Sequence, residues 1–222
     1  PFSIVETAYI IKSTYYLYPK NTIFIVVVDP GVGSSREIVI IRTKSSYFFI
    51  GPNNGIFTNV FGSSEISKCI DIKNELYFNS PVSKTFHGRD IMAPIGAYLS
   101  KGGDIDKYGS KFPITKLVDF PIELKKISDN EIRCTIQYID DFGNIITNIK
   151  GDSVIFKDNT EIAIKTRGQR TKGNFVSFFK EVPINSLLFV EGSSGFLEIS
   201  KNQGNAANNL GLKVGDVITV EL

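Results

Sequence analysis

Residues 23–36 run Ile23-Phe-Ile-Val-Val-Val-Asp29-Pro-Gly-Val-Gly-Ser-Ser-Arg36, an unbroken apolar stretch that ends in a glycine-rich turn carrying an acid and a base. A run apolar at every position is the pattern of a strand buried on both faces of a parallel sheet. Upstream, Ser3 and Glu6 have capping-box spacing, and Ile4, Ala8, Ile11 and Tyr15 recur at helical intervals until Tyr18-Pro19 stops them. A helix that feeds such a strand predicts an α/β domain with a mostly parallel sheet flanked by helices. Further strands are expected at 38–42 and 47–50, and Gly51-Pro-Asn-Asn-Gly55 is rich in turn residues. Ile91, Met92, Ile95 and Leu99 mark a second helix over 91–101, closed by Gly102-Gly103.

The pattern changes after residue 108. A stretch with Pro113 and Pro121 and no clear period is expected to link two domains. The predicted organisation is an N-terminal α/β domain over 1–112, a linker over 113–128 and a C-terminal domain over 129–222. In the last part, short β-rich segments at 131–139, 145–149, 154–156, 162–165, 187–190, 196–199 and 217–221 are spaced by Gly, Asn and Asp. They suit a small all-β barrel.

Composition narrows the chemistry. In 222 residues, 25 Lys+Arg stand against 23 Asp+Glu, a formal charge of +2. That balance argues against nucleic acid as a partner. A single His, two Cys and no CxxC or HExxH spacing argue against zinc or any other bound metal. Cys69 and Cys134 make no disulfide framework, which points to a reducing, cytoplasmic setting. No apolar run approaches the roughly 18–20 residues of a membrane span, so a soluble protein with no membrane partner is expected.

Four polar stretches could carry chemistry. Asp29 to Arg36 follows a strand, where α/β sheets place their ligands, although an Asp-Pro-Gly turn tidied by Arg36 is the plain alternative. No Gly-Lys-Ser/Thr follows, so it is not a phosphate loop. Thr85-Phe-His-Gly-Arg-Asp90 places the lone histidine, His87, just before a helix. Ile139-Asp-Asp-Phe-Gly-Asn144 is either a hairpin turn or a binding loop; it echoes a kinase metal motif, but no upstream glycine-rich loop supports that reading. Glu191-Gly-Ser-Ser-Gly-Phe196 lacks the spacing of a nucleophile elbow, yet its amides and hydroxyls could hold a carboxylate or a purine edge.

The strings FIVVVDPGVGSSRE, GPNNGIFT, TFHGRDIMAP, IDDFGNIITNI and VEGSSGFLEISKNQGNAA, in this order, resemble the S-adenosylmethionine hydroxide adenosyltransferase family, the hydrolase relatives of fluorinases and chlorinases. The resemblance spans most of the chain and is weakest over 103–130. It implies hydrolysis of S-adenosyl-L-methionine to adenosine and L-methionine, without a cofactor, in a homotrimer whose sites lie at subunit interfaces. It also implies roles. Asp29, Arg36 and His87 would activate water; in the halogenating relatives the position of Asp29 holds an aromatic hydroxyl residue. Thr85 and Phe86 would line the pocket near the reacting carbon, and Asp140 would hold the ligand's ammonium, with Ser193 and Ser194 near its carboxylate. Asn144, Phe179 and the Asn205-Ala206 backbone would hold adenine. Family members begin with a strand and a Thr-Asp-Phe-Gly motif whose acid clasps the ribose; nothing similar precedes Pro1, so either the natural protein is longer or this chain lacks its first strand and ribose anchor.

Four readings stay open: the hydrolase, a module that binds adenosine or S-adenosylmethionine without turning it over, a halogenase relative that uses halide in place of water, and a structural assembly protein. Asp, with a reference pKa of about 3.9, is too weak a base to ionise water alone, and an adjacent arginine weakens it further. A fixed network is therefore expected, in which Arg36 favours hydroxide while Asp29 and His87 orient the water and accept or relay its proton.

Overall fold

The computed structural model describes residues 3–153, 159–166 and 168–222. Contacts divide the chain into two units, up to Phe120 and from Pro121 onward.

In the first unit, helix α1 (Ile4–Thr14) starts where the capping spacing puts it, with the Glu6 amide donating to Ser3 Oγ at 3.2 Å. Strands β1 (Ile23–Ile25), β2 (Ile38–Thr43), β3 (Phe48–Pro52), β4 (Ile66–Ile72) and β5 (Gly109–Lys111) form one sheet in the order β1-β3-β2-β4-β5. Side chains alternate across it with a period of two. Val39, Ile41 and Phe49 join Ala8 of α1 and Ile56, Phe57 and Val60 of helix α2 (Ile56–Val60) on one face. Ile38, Ile40, Ile50 and Ile70 join Ile95 and Leu99 of helix α3 (Ala93–Ser100) on the other. The result is three layers, with helices on both faces of the sheet.

The sheet is mixed rather than mostly parallel. Only β1 and β3 run parallel; β3 with β2, β2 with β4 and β4 with β5 are antiparallel. The run at 23–28 also lies differently from the expectation. Its strand covers only Ile23–Ile25, at the sheet edge, with Ile25 40% and Val27 52% exposed. The doubly buried strand is instead β2, whose first four residues are all buried. Helices on both faces of a sheet demand continuous apolar runs whichever way the strands point, so such a run does not report strand direction.

In the second unit, strands β7 (Glu131–Ile139), β8 (Ile145–Lys150), β9 (Glu161–Thr166), β10 (Gln169–Phe175), β11 (Leu187–Glu191), β12 (Phe196–Lys201) and β13 (Val217–Glu221) close into a seven-stranded barrel through the pairing of β13 with both β7 and β9. Strand β6 (Leu124–Ser128) adds to the edge of β7. All neighbours are antiparallel except β10 and β11. Inward-facing Ile132, Cys134, Ile136, Ile162, Phe189 and Leu197 fill the interior. Closure removes the unpaired edges that a sheet of this kind would otherwise expose.

The stretch read as a linker is thus partly ordered into β6, all five of whose side chains are exposed, so no apolar alternation marked it. Strand β10 escaped for the same reason, since Gln-Arg-Thr-Lys-Gly-Asn precedes its one buried residue, Phe175. The segment expected at 154–156 lies outside the described residues.

Candidate active site

In the first unit, the turn after β1 returns Arg36 onto Asp29. Arg36 Nε donates to Asp29 Oδ1 at 2.8 Å and its Nη2 donates to Oδ2, a bidentate fork. Nη2 also donates to His87 Nδ1 at 2.9 Å, so one guanidinium joins the two sequence-distant groups. The side chains of Arg36 and Asp29 are only 11% and 6% exposed. A guanidinium has no acceptor, so Nδ1 of His87 accepts and the neutral ring carries its proton on Nε2. In this array Nδ1 is engaged and Nε2–H is the group that can meet a ligand.

Several local devices hold the array. Asn54 Nδ2 donates to the Val28 carbonyl at 2.9 Å, fixing the chain one residue before Asp29. Asn53 Nδ2 donates to Glu37 Oε2 at 3.1 Å, fixing the chain one residue after Arg36. The paired asparagines of the 51–55 turn are therefore scaffolding. Gly33 sits at φ +81°, and a Cβ there would stand 2.6 Å from the Lys84 carbonyl oxygen. This close approach joins the 29–36 loop to the segment before His87. Gly33→Ala combines a left-handed backbone with a backbone clash. It is expected to lower the thermal midpoint and to cut turnover at least about tenfold by moving Arg36 off His87. Wild-type turnover in that variant would show that the two loops need not touch.

Asp90 anchors the other side. Its buried carboxylate accepts from the Ser83 amide at 2.8 Å and from Arg89 Nε and Nη2 at 2.7 and 2.9 Å. Arg89 in turn lies over the Phe86 ring, 4.9 Å from its centre. The Arg89 hydrogen bonds and the Ser83 amide hold the Asp90 carboxyl down to about 2. A depressed carboxyl stabilises the fold fully above its unfolded pKa of about 3.9, and the contribution fades as pH falls toward 2. Urea midpoints of wild type and Asp90→Asn should therefore differ at pH 6 and converge near pH 2; a gap that persists at pH 2 would overturn this account. His87 precedes a π-helical turn, Gly88–Met92, that runs on into α3, a local geometry frequent at functional sites.

Val27, Val32, Thr85 and Phe86 wall a cavity of about 180 Å³ onto which Asp29 and His87 open. Drug-sized ligands occupy roughly 300–1,000 Å³, so this cavity suits one end of a larger molecule. All five residues expected in this unit, Asp29, Arg36, Thr85, Phe86 and His87, thus surround or back one small space.

The second unit has its own groove, about 380 Å³, walled by Phe142, Asn144, Phe179, Lys201, Gln203 and Asn205. Asp140 underpins it. Its carboxylate accepts from the Phe142 and Asn144 amides at 3.0 and 2.8 Å and from Asn144 Nδ2 at 2.9 Å. Gly143, at φ +87°, packs so closely on Asn205 that a Cβ would lie 2.1 Å from its Cγ. Asn205 caps the short helix α4 (Ala206–Leu210), its Oδ1 accepting from the Asn208 amide at 2.7 Å, and Ala206 is buried behind it.

The structure brings Asn144, Phe179 and Asn205 onto one wall, with Asp140 beneath. Ser193 and Ser194 lie in the turn between β11 and β12, outside the groove lining. Glu198 belongs to the same neighbourhood: burial first, and the charge of Asp140 in addition, push its carboxyl up, against the opposing effect of its bond from Ser200. Sequence reasoning missed Phe142, Lys201 and Gln203. Phe142, 78% exposed in a polar turn, was the one with a visible signal, a bare aromatic where burial is impossible. Among the described residues no cluster of three His, Cys, Asp or Glu side chains could hold a metal, and no helix is long and apolar enough to cross a membrane.

Residues 1–109 match the model of the SAM hydroxide adenosyltransferase N-terminal domain, and residues 134–219 match that of the C-terminal domain. The chain belongs to the SAM hydroxide adenosyltransferase family. Every residue singled out above falls inside one of these two matched spans. Among family relatives, the (R)-S-adenosyl-L-methionine hydrolase of Methanocaldococcus jannaschii is 38% identical over 99% of this chain and 79% of its own length. A fluorinase of Actinopolyspora mzabensis is more distant, 24% identical over 99% of this chain and 83% of its own. An uncharacterized conserved protein from Thermotoga maritima has the same fold, with a TM-score of 0.90 at 30% identity over 100% of this chain and 85% of its own. The adenosyltransferase family thus accounts for both units at once.

Proposed function

We propose that this chain hydrolyses S-adenosyl-L-methionine to adenosine and L-methionine by attack of water on the ribose 5′ carbon. The observation that carries the reading is the half-buried Asp29–Arg36–His87 array beside a cavity sized for one end of a ligand. The sulfonium is cationic and leaves as a neutral thioether, so the leaving group needs neither acid nor metal. What the reaction lacks in water is a positioned, electron-rich oxygen. The Arg36 guanidinium supplies a positive potential that favours hydroxide. Asp29, with both oxygens tied to Arg36, fixes the orientation of that charge, and His87 offers Nε2–H to the attacking oxygen. Thr85 and Phe86 shape the cavity for the reacting carbon.

In the C-terminal groove, Phe179 gives a flat ring for adenine, with Asn144 and Asn205 offering amide groups to its edge. Asp140 is read as the partner of the ligand's ammonium, with Ser193 and Ser194 at its carboxylate. No cofactor enters the scheme. The proposal includes a homotrimer in which the N-terminal unit of one subunit works with the C-terminal unit of the next; sedimentation equilibrium reads the mass directly. A cytoplasmic location is part of the same reading, in keeping with the two buried free thiols, Cys69 and Cys134, whose burial pushes each up to about 12. A halide nucleophile is the weaker reading, because position 29 carries an acid where the halogenating relatives hold an aromatic hydroxyl residue.

Incubation of the chain with S-adenosyl-L-methionine in ¹⁸O-labelled water, with chloride present, tests the reaction. Label in the 5′-hydroxyl of adenosine is the expected result. Unlabelled adenosine, a 5′-chlorinated nucleoside, or calorimetric binding with no product would overturn it.

A further inference from the structure

Arg36 has five N–H donors, and three are accounted for: Nε–H and one Nη2–H go to Asp29 and the other Nη2–H goes to His87. Its Nη1 donates to no protein atom among the described residues. No buried side-chain nitrogen or oxygen among them is left without a partner, so Nη1 opens to space that water reaches. Arg36 also borders a second cleft, about 310 Å³, together with His87, Ser34, Ser35, Glu37, Asp71 and Lys73. Arg36 does not line the smaller cavity described above, whereas His87 lines both.

The two spaces differ in chemistry. The smaller is walled largely by Val27, Val32 and Phe86 and suits an organic cation with apolar substituents. The larger has two cations, Arg36 and Lys73, against two carboxylates, Glu37 and Asp71, with Lys73 Nζ 2.7 Å from Asp71 Oδ2. Their charges cancel, so the cleft is polar without holding a fixed excess for a tightly bound anion, a setting suited to mobile water.

We propose that this polar cleft delivers the nucleophilic water and carries away its proton, separately from the cavity that takes the sulfonium end of the substrate. The inference rests on the hydrolase reading. In that reaction the water oxygen bonds to the 5′ carbon, the carbon–sulfur bond breaks with its electron pair staying on sulfur, and one proton of the water is released. Cation and water become neutral adenosine, methionine and that proton. With Nδ1 of His87 occupied by Arg36 and both Asp29 oxygens held, the proton leaves through the water and carboxylates of the cleft and is not stored on the array. Displacement also needs nucleophile and leaving group on opposite sides of the carbon, and separate approaches that share His87 meet that need.

Ser35, exposed on the rim with no bond to the array, allows the cleft to be plugged from outside. Ser35→Phe is expected to lower kcat about tenfold or more while KM for S-adenosyl-L-methionine stays within about twofold, the split expected when only the transition state is affected. Ser35→Leu, a smaller plug at the same place, should act in the same direction and serves if the first variant fails to fold, as judged by its thermal midpoint. Unchanged kcat in the folded variants, or a rise in KM with kcat intact, would overturn the proposal while leaving the hydrolase reading in place. Wild-type protein that forms no labelled adenosine would overturn both.

Discussion

Arg36→Lys is expected to lower kcat by about 10²–10³-fold, the scale seen when one preorganised donor is removed from a developing charge. The substitution keeps a positive charge. It loses the planar fork, and an ammonium on a flexible stem cannot hold both Asp29 oxygens and His87 Nδ1 at once as Nε and Nη2 do. The tautomer of His87 is then no longer set, and Asp29 is released to rotate. Because Arg36 is not on the wall of the smaller cavity, the affinity for S-adenosyl-L-methionine should change little. Steady-state kinetics with calorimetric binding separates the two effects. Parallel loss of affinity and turnover would assign Arg36 to ligand binding, and an unaltered kcat would remove the guanidinium from the mechanism.

The largest expected loss of stability is at Phe49. The side chain is fully buried at the centre of the face that α1 and α2 cover. Its ring stacks on Phe24 with centres 5.0 Å apart, and it meets Phe61 at 5.0 Å, Tyr15 at 5.6 Å and Phe57 at 6.1 Å. Removal would open a hole lined by four aromatic rings from the turn just after α1, from β1 and from the α2 region, none of which can collapse without leaving another partner. Phe49→Ala should therefore cost about 3–5 kcal/mol, a large part of the roughly 5–15 kcal/mol that holds a typical domain folded. Urea unfolding followed by tyrosine fluorescence would read it, since Tyr15 and Tyr47 sit in the same cluster. A shift under about 1 kcal/mol would mean that the cluster repacks freely.

These two residues mark different degrees of legibility. Phe49 lies in a strand-like apolar run, and its burial follows from local pattern. Asp29, Arg36 and His87 could be named from motif order, but their joining through one guanidinium depends on a turn and on Gly33 against Lys84, which brings together residues far apart in the chain, while the Asp90–Arg89–Phe86 contacts brace the His87 segment locally. The C-terminal groove shows the same division. Asn144, Phe179 and Asn205 were expected together, whereas Lys201 and Gln203 joined them only because β12 and α4 meet there. Strands such as β6 and β10, whose side chains face solvent, left no periodic trace to find.

The sequence by itself determined what local chemistry dictates: where α1 begins, where apolar runs become strands, that an α/β part precedes a β-rich part, and that all imidazole chemistry rests on His87. The tertiary structure decided what depends on pairing at a distance. Strand direction in the first sheet is the clearest case, because helices on both faces impose the same apolar run on parallel and antiparallel strands alike. The role of the lone histidine is the other. Its residue type permits base, acid or donor, and only the guanidinium at Nδ1 leaves it as a neutral donor.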